Sequence, residues 1–210
     1  MTGVLFTGGL SPDFSTIKNI IMNADIIAAA DSGFDSAVKM GIKPDIIIGD
    51  MDSVKNTNLL SEYPEDRILK FLKDKDETDT ELGLLYLSQN KCDNIILIGG
   101  GGGRMDHFLG IVFLFDRDLS PNLWYTNNTR FEKITGYNKI HSMKGKLVSF
   151  FPLGNVVCKM KSDGLKWPLD KLNWDKGDMG ISNIVTKDPF SVEMTNGSLL
   201  MVNQIKDVLY

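Results

Sequence analysis

The sequence predicts two domains. Residues 1–127 read as an α/β parallel-sheet domain of Rossmann-like, three-layer type, and residues 128–210 as an all-β sandwich or jelly roll. Three observations predict this. Short, β-branched apolar runs alternate with helix-period segments through the first half. Most of those runs end in glycine or aspartate, as strands do at the open edge of a parallel sheet. Beyond Asn127 the helical period disappears, and strand-like runs separated by turns take over.

Taken in order, Val4–Thr7 reads as a strand ending in Gly8-Gly9, and Ser15–Asn23 as a helix with Ile17, Ile20 and Ile21 on one face. Asp25–Ala30 is a second strand, running into Asp31-Ser32-Gly33. Phe34–Met40 is a short helix stopped by Gly41, with Pro44 beyond. Asp45–Ile48 is a buried strand followed by Gly49-Asp50-Met51-Asp52-Ser53. Asn56–Glu62 reads as a helix and Ile68–Leu72 as a strand. Thr78 and Glu81 fit a capping box, so a helix starts there, with Leu82, Leu85, Tyr86 and Gln89 along one face. Asn94–Ile98 is a strand entering the five glycines Gly99 to Gly103. Arg104–Phe115 is a helix with Phe108, Ile111, Val112 and Phe115 on one face, and Asn122–Thr126 is the last strand of this half. The second half offers strands at Phe131–Ile134, Leu147–Phe151, Val156–Met160, Ile181–Val185, Ser191–Met194 and Leu199–Ile205. Pro152-Leu153-Gly154 and Ser162-Asp163-Gly164 read as turns between them, and Asn196-Gly197 as a hairpin turn.

Composition narrows the function. The 210 residues carry a formal net charge of −4 and no block of Lys or Arg, which argues against a nucleic-acid footprint. No stretch is apolar for the ~20 residues a membrane span needs. The start, Met1 to Phe6, lacks a basic region before its apolar run and reads as a first strand. Cys92 and Cys158 are far apart and lack metal-ligand spacing, so a cytoplasmic protein with two reduced thiols is expected.

The chemistry concentrates where the strands end. Asp31, the pair Asp50 and Asp52, the run Lys73 to Asp79, and Gly99 to His107 occupy corresponding places in successive units. In an open parallel sheet these places share one edge, where ligands sit. Two carboxylates ~6 Å apart repel by roughly 3 kcal/mol at an effective dielectric of ~20. Asp50, Asp52, Asp76 and Asp79 therefore need to splay, protonate or share a cation. Oxygen-only donors favour Mg²⁺, which completes its shell with water and phosphate oxygens. The glycine run, between a strand and a helix, lets backbone approach a phosphate, and Arg104 adds a forked cation. Bland readings stand beside these. Asp79 is a favourable charge at a helix start, Lys73 and Lys75 are solvated charges, and His107 is an ordinary packed histidine.

These motifs resemble the thiamine pyrophosphokinase family. Its A-D-G-G-like turn matches Ala30 to Gly33, and its P-D-x-x-x-G-D-x-D-S matches Pro44 to Ser53. Its D-x-D-x-T-D matches Asp74 to Asp79, and its G-x-x-G-G-R-x-D-H matches Gly99 to His107. Gly164 to Leu169, Ser182-Asn183 and Gly197 to Leu200 extend the likeness through the second half. Ser32 replaces the usual glycine, and Gly100-Gly101 loosens the phosphate loop. The resemblance implies transfer of a diphosphate from ATP to the hydroxyl of thiamine, giving thiamine diphosphate and AMP. It implies a homodimer with active sites shared between subunits. Asp50, Asp52, Asp76 and Asp79 would be catalytic and hold Mg²⁺. Asp31, Lys75, Gly102, Gly103, Arg104 and Asp106 would serve the nucleotide, and Trp167, Ser182 and Asn183 would line the thiamine pocket. A pyrophosphokinase acting on a pterin alcohol, or a non-catalytic sensor on the same scaffold, is the alternative. The Trp167 motif favours thiamine, and the acid set favours an enzyme.

Overall fold

The computed structural model describes residues 1–170 and 172–205. Residues 206–210, counted above in the second domain, lie outside the described residues. The chain divides into two compact units: Met1–Leu114 with Leu119–Asn127, and Phe115–Asp118 with the chain from Asn128 onward.

The first unit is a parallel sheet with helices. Its strands are β1 (Thr2–Phe6), β2 (Ile26–Ala30), β3 (Ile46–Gly49), β4 (Ile68–Lys70), β5 (Asn94–Ile98) and β6 (Leu123–Tyr125). They lie in the order β6-β5-β1-β2-β3-β4, every neighbour parallel. The order runs outward from β1 to β4, then returns to β5 on the other side of β1. The loops after β1 and β5 thus part at a switch point of the kind where ligands bind in open α/β sheets.

Alternation along β1 shows how helices cover both faces. Val4 and Phe6 share a buried cluster with Ile17 of α1 (Phe14–Met22) and with Phe34 and Ala37 of α2 (Gly33–Lys39). Gly3 and Leu5 point the other way, against Leu87 and Gly83 of α4 (Asp79–Gln89). A short α3 (Thr57–Ser61) precedes β4, and α5 (Met105–Leu114) follows the glycine run. On α4 the buried face is Leu82, Gly83, Leu84 and Leu87, while Leu85 is exposed. This corrects the expected Leu82–Leu85–Tyr86–Gln89 face. The sequence pattern overlooked Gly83, and it is there that the helix comes closest to Leu5.

The second unit is antiparallel β. One sheet runs β12 (Gly180–Ile184), β9 (Leu147–Leu153), β14 (Ser198–Gln204), β7 (Thr129–Ile134). The other runs β11 (Asn173–Trp174), β10 (Cys158–Asp163), β13 (Phe190–Asn196), β8 (Tyr137–Ile140). Side chains from both sheets share one core, including Val148, Phe150 and Met201 from the first and Met160, Phe190 and Val192 from the second. β8 and β11 were not read from the sequence, because neither is a β-branched apolar run. Two turn expectations fail. Pro152 lies inside β9, paired with Leu199; β12 pairs only as far as Phe150, so the proline sits where β9 is an edge on that side. Asn196-Gly197 does not close a hairpin. It carries the chain from β13 in one sheet to β14 in the other.

Gly33, closing the Asp31-Ser32-Gly33 turn, brings α2 against the β1 backbone: an added Cβ would lie 2.2 Å from the Phe6 carbonyl oxygen. Backbone offers no easy retreat. Gly33→Ala is expected to cost about 2–3 kcal/mol, read as a lower urea midpoint with an unchanged m-value.

Candidate active site

The site assembles from two strand ends and one helix start of the first unit. Asp31 follows β2, Asp50 follows β3, and Asp79 opens α4. One carboxylate oxygen from each lies within 4.8 Å of the other two. The local chain is bent to achieve this. Asp31 and Met51 both adopt left-handed backbone, φ 45° and 66°, a conformation that costs a residue with a side chain and collects at functional turns. Gly49 has φ 143°, and a Cβ there would lie 3.0 Å from the Asp79 carboxyl carbon. Glycine at the end of β3 is thus what admits the Asp79 carboxylate.

Capping fixes Asp79. The Thr78 hydroxyl accepts from Glu81 N, and Glu81 Oε2 accepts from Thr78 N at 2.8 Å, so the predicted capping box is present. The loop bearing Asp50 is pinned by α2: Asp35 accepts from Lys55 N and Asn56 N, both at 2.9 Å. Ser53 N donates to Asp31 Oδ1 at 3.3 Å, and Asp52 N donates to Asp50 Oδ1 at 3.1 Å.

The electrostatics are unbalanced. Burial pushes the Asp31 carboxyl above its usual range, against hydrogen bonds from Ser32 and Ser53 that pull it down, and the Asp79 charge adds to the rise. Asp79 Oδ1 is buried and accepts no hydrogen bond among the described residues. Lys75 Nζ lies 3.0 Å from it, an ion pair without hydrogen-bonding geometry. An oxygen-only trio with a buried, unsatisfied lone pair fits a hard divalent cation such as Mg²⁺.

The structure places the other expected acids outside this trio. Asp52 is exposed and held by Lys73 Nζ, which pulls its pKa below the ordinary carboxylate range. Asp76 is exposed. Asp31, expected only beside the acids on the nucleotide side, stands within the trio. Lys73 is solvated, whereas Lys75 is largely buried. The sequence reading missed Asp35, which stands outside every recognised motif; Gly49 and Ser53 stood inside the Pro44–Ser53 motif without a role, which the structure supplies.

The glycine run is partly committed to the fold. Gly99 N donates to Tyr125 O, Gly100 N to Gly8 O and Gly101 N to Leu10 O, while the Trp124 indole donates to Gly99 O. Gly102 and Gly103 take no part in this bonding among the described residues. Arg104 forks onto Asp106, holding that carboxyl at about 2. His107 is exposed, which corrects its reading as a packed histidine: the first turn of α5 stands clear of the sheet, and burial begins only at Phe108 and Ile111.

In the second unit, Trp167 is 53% exposed, with Lys166 Nζ 4.6 Å from its ring centroid. Asn183 is buried. Its Oδ1 accepts from Trp167 N and its Nδ2 donates to Trp167 O at 2.7 Å, so it clamps the Trp167 backbone. Ser182 has left-handed backbone, φ 59°, and its amide donates to Ser149 Oγ.

Fold and site together define a class: a parallel α/β unit with acidic strand ends, joined to an antiparallel β unit. Comparison with known proteins narrows it. Residues 17–123 match the model for the thiamin pyrophosphokinase catalytic domain, and residues 134–199 match the vitamin B1 binding domain of the same family. The chain belongs to the thiamin pyrophosphokinase family, and it is an enzyme of that family. Among curated relatives, thiamine pyrophosphokinase of Bacillus subtilis is 26% identical over 82% of this chain and 84% of its own. Thiamine pyrophosphokinase 1 of Arabidopsis thaliana is 26% identical over 81% of this chain and 68% of its own. The fold is that of solved relatives. The Bacillus subtilis crystal structure superposes with a TM-score of 0.80 at 22% identity, covering 99% of this chain and all of that one. The Candida albicans protein gives 0.72 at 19% identity, covering 98% and 90%. No described helix is long and apolar enough to cross a membrane.

Asp31 has a folded pKa above its unfolded one, so its ionisation costs stability. The cost is absent below the unfolded value near ~3.9, grows as pH rises through the folded value, and is full at neutral pH. Asp31→Asn is therefore expected to raise the thermal midpoint in chelator at pH 7. The advantage should vanish below the carboxylate range, as read by melting curves across pH.

Proposed function

We propose that this protein transfers the diphosphate of ATP to the hydroxyl of thiamine, with Mg²⁺, giving thiamine diphosphate and AMP. The observation that carries the proposal is the Asp31–Asp50–Asp79 trio at the ends of β2 and β3 and the start of α4, inside the segment that matches the family's catalytic domain. Relatives named for the same activity support it along most of the chain.

Asp31, Asp50 and Asp79 hold the cation, and Asp52 and Asp76 complete the acid set from the solvent side of the same loops. Mg²⁺, when bound, neutralises charge on the phosphate oxygens and orients them. Gly102 and Gly103 offer backbone to the phosphates, and Arg104 turns its fork from Asp106 to a phosphate oxygen, a like-for-like exchange of oxyanions. The thiamine hydroxyl oxygen attacks the β-phosphorus, and the bond from that phosphorus to the bridging oxygen of AMP breaks. The hydroxyl proton passes to Asp79 or Asp52. Trp167 stacks on the flat cationic ring of thiamine, with Asn183 holding the tryptophan backbone and Ser182 beside it. A homodimer with shared active sites and a cytoplasmic location belong to the same proposal.

The test is direct: purified protein with ATP, Mg²⁺ and thiamine should release AMP with thiamine diphosphate, and a pterin alcohol should not substitute. Product from the pterin and none from thiamine would reverse the substrate assignment. Asp79→Asn should lower kcat by about a hundredfold or more while moving the thermal midpoint little; retained kcat removes Asp79 from the chemistry. Trp167→Ala should raise KM for thiamine about tenfold with kcat largely kept, and an unchanged KM removes the stacking role.

A further inference from the structure

Lys75 is placed unlike its neighbour. Both lysines lie in one charged loop, yet the Lys73 side chain is 75% exposed and that of Lys75 only 14%. A lysine buried this far has given up most of its hydration and needs oxygens in exchange. The Lys75 ammonium has two: the Leu72 carbonyl at 3.1 Å and Asp79 Oδ1 at 3.0 Å. Asp79 Oδ1 is itself buried and accepts no hydrogen bond among the described residues. Around it stand Asp31 and Asp50, with one oxygen of each carboxylate inside the same 4.8 Å cluster. The cluster thus carries three carboxylates, with one ammonium against it.

We propose that Lys75 is the internal counter-cation of the carboxylate trio. Its ion pair with Asp79 keeps the loop of residues 72–79 closed over the acids when no divalent ion is bound, and it competes with that ion for Asp79. Two cations do not share one carboxylate oxygen without mutual repulsion. Entry of a divalent ion therefore loosens the ammonium from Asp79. Lys75 acts as a positioning residue, through Asp79, and the proposal rests on the cation-site reading given above.

The test is Lys75→Met, which keeps the stem and removes the charge. Its readouts are thermal melting in chelator and Mg²⁺ titration by calorimetry without nucleotide, both independent of turnover. In chelator the variant should melt about 3 °C lower, and the loss should disappear when Asp79→Asn is already present. With Mg²⁺ it should bind the ion about tenfold more tightly than the unsubstituted protein, and Lys75→Arg should behave as the unsubstituted protein does. An unchanged or weakened Mg²⁺ affinity in Lys75→Met, beside a normal response in the unsubstituted protein, overturns the counter-cation role and leaves the metal site standing. A melting loss of the same size in the Asp79→Asn background overturns it as well. A flat titration for both proteins overturns the metal site and this role together.

Discussion

Repulsion among Asp31, Asp50 and Asp79 is the constraint on which the catalytic unit depends. Three carboxylates gathered within a few ångströms repel one another and work against folding; the Asp31 pKa, raised first by burial, is raised further by the Asp79 charge. The chain holds them together regardless. Left-handed backbone at Asp31 and Met51 turns the strand ends inward. Gly49 leaves room for Asp79, the capping box fixes the start of α4, and Asp35 ties down the loop that carries Asp50. Hydrogen bonds and packing spent on keeping like charges close make sense where a cation is to be received. The strain is then a form of preorganisation.

The same logic explains why the glycine run is only partly available. Gly99 to Gly101 are bonded to the segment after β1 and to the end of β6, so they hold the loops at the switch point in place. Gly102, Gly103 and Arg104 stand beyond that anchored part. The run divides between its third and fourth glycines into a bonded root and an open tip.

Much of this was legible in the sequence because it is local. Period and strand composition gave every strand and α-helix of the first unit to within a few residues, though not the short 3-10 turn Glu65–Arg67, and Thr78 with Glu81 gave the cap. The four acidic or glycine-rich loops were readable as one edge because a parallel sheet places strand ends together. Which acids converge was not readable. Asp52 and Asp50 are two residues apart in sequence, yet only Asp50 turns into the trio, because the Asx turn at Asp50 and the pull of Lys73 send Asp52 outward. Asp31 enters through its left-handed backbone, which composition does not announce. The Asn196-Gly197 turn misled for a related reason: the dipeptide specifies a tight reversal, but the choice between pairing back and crossing to the facing sheet is made by tertiary packing.

The partition of the chain carries a consequence for dissecting it. Phe115–Asp118 belongs to the second unit although Leu119–Asn127 returns to the first. Within that short excursion Asp116 accepts from Gly154 N at 2.7 Å and pairs with Lys176. The polypeptide thus passes from one unit to the other three times. A single cut after Asn127 cannot yield two whole halves, since the amino-terminal fragment would carry away a piece that its sibling needs.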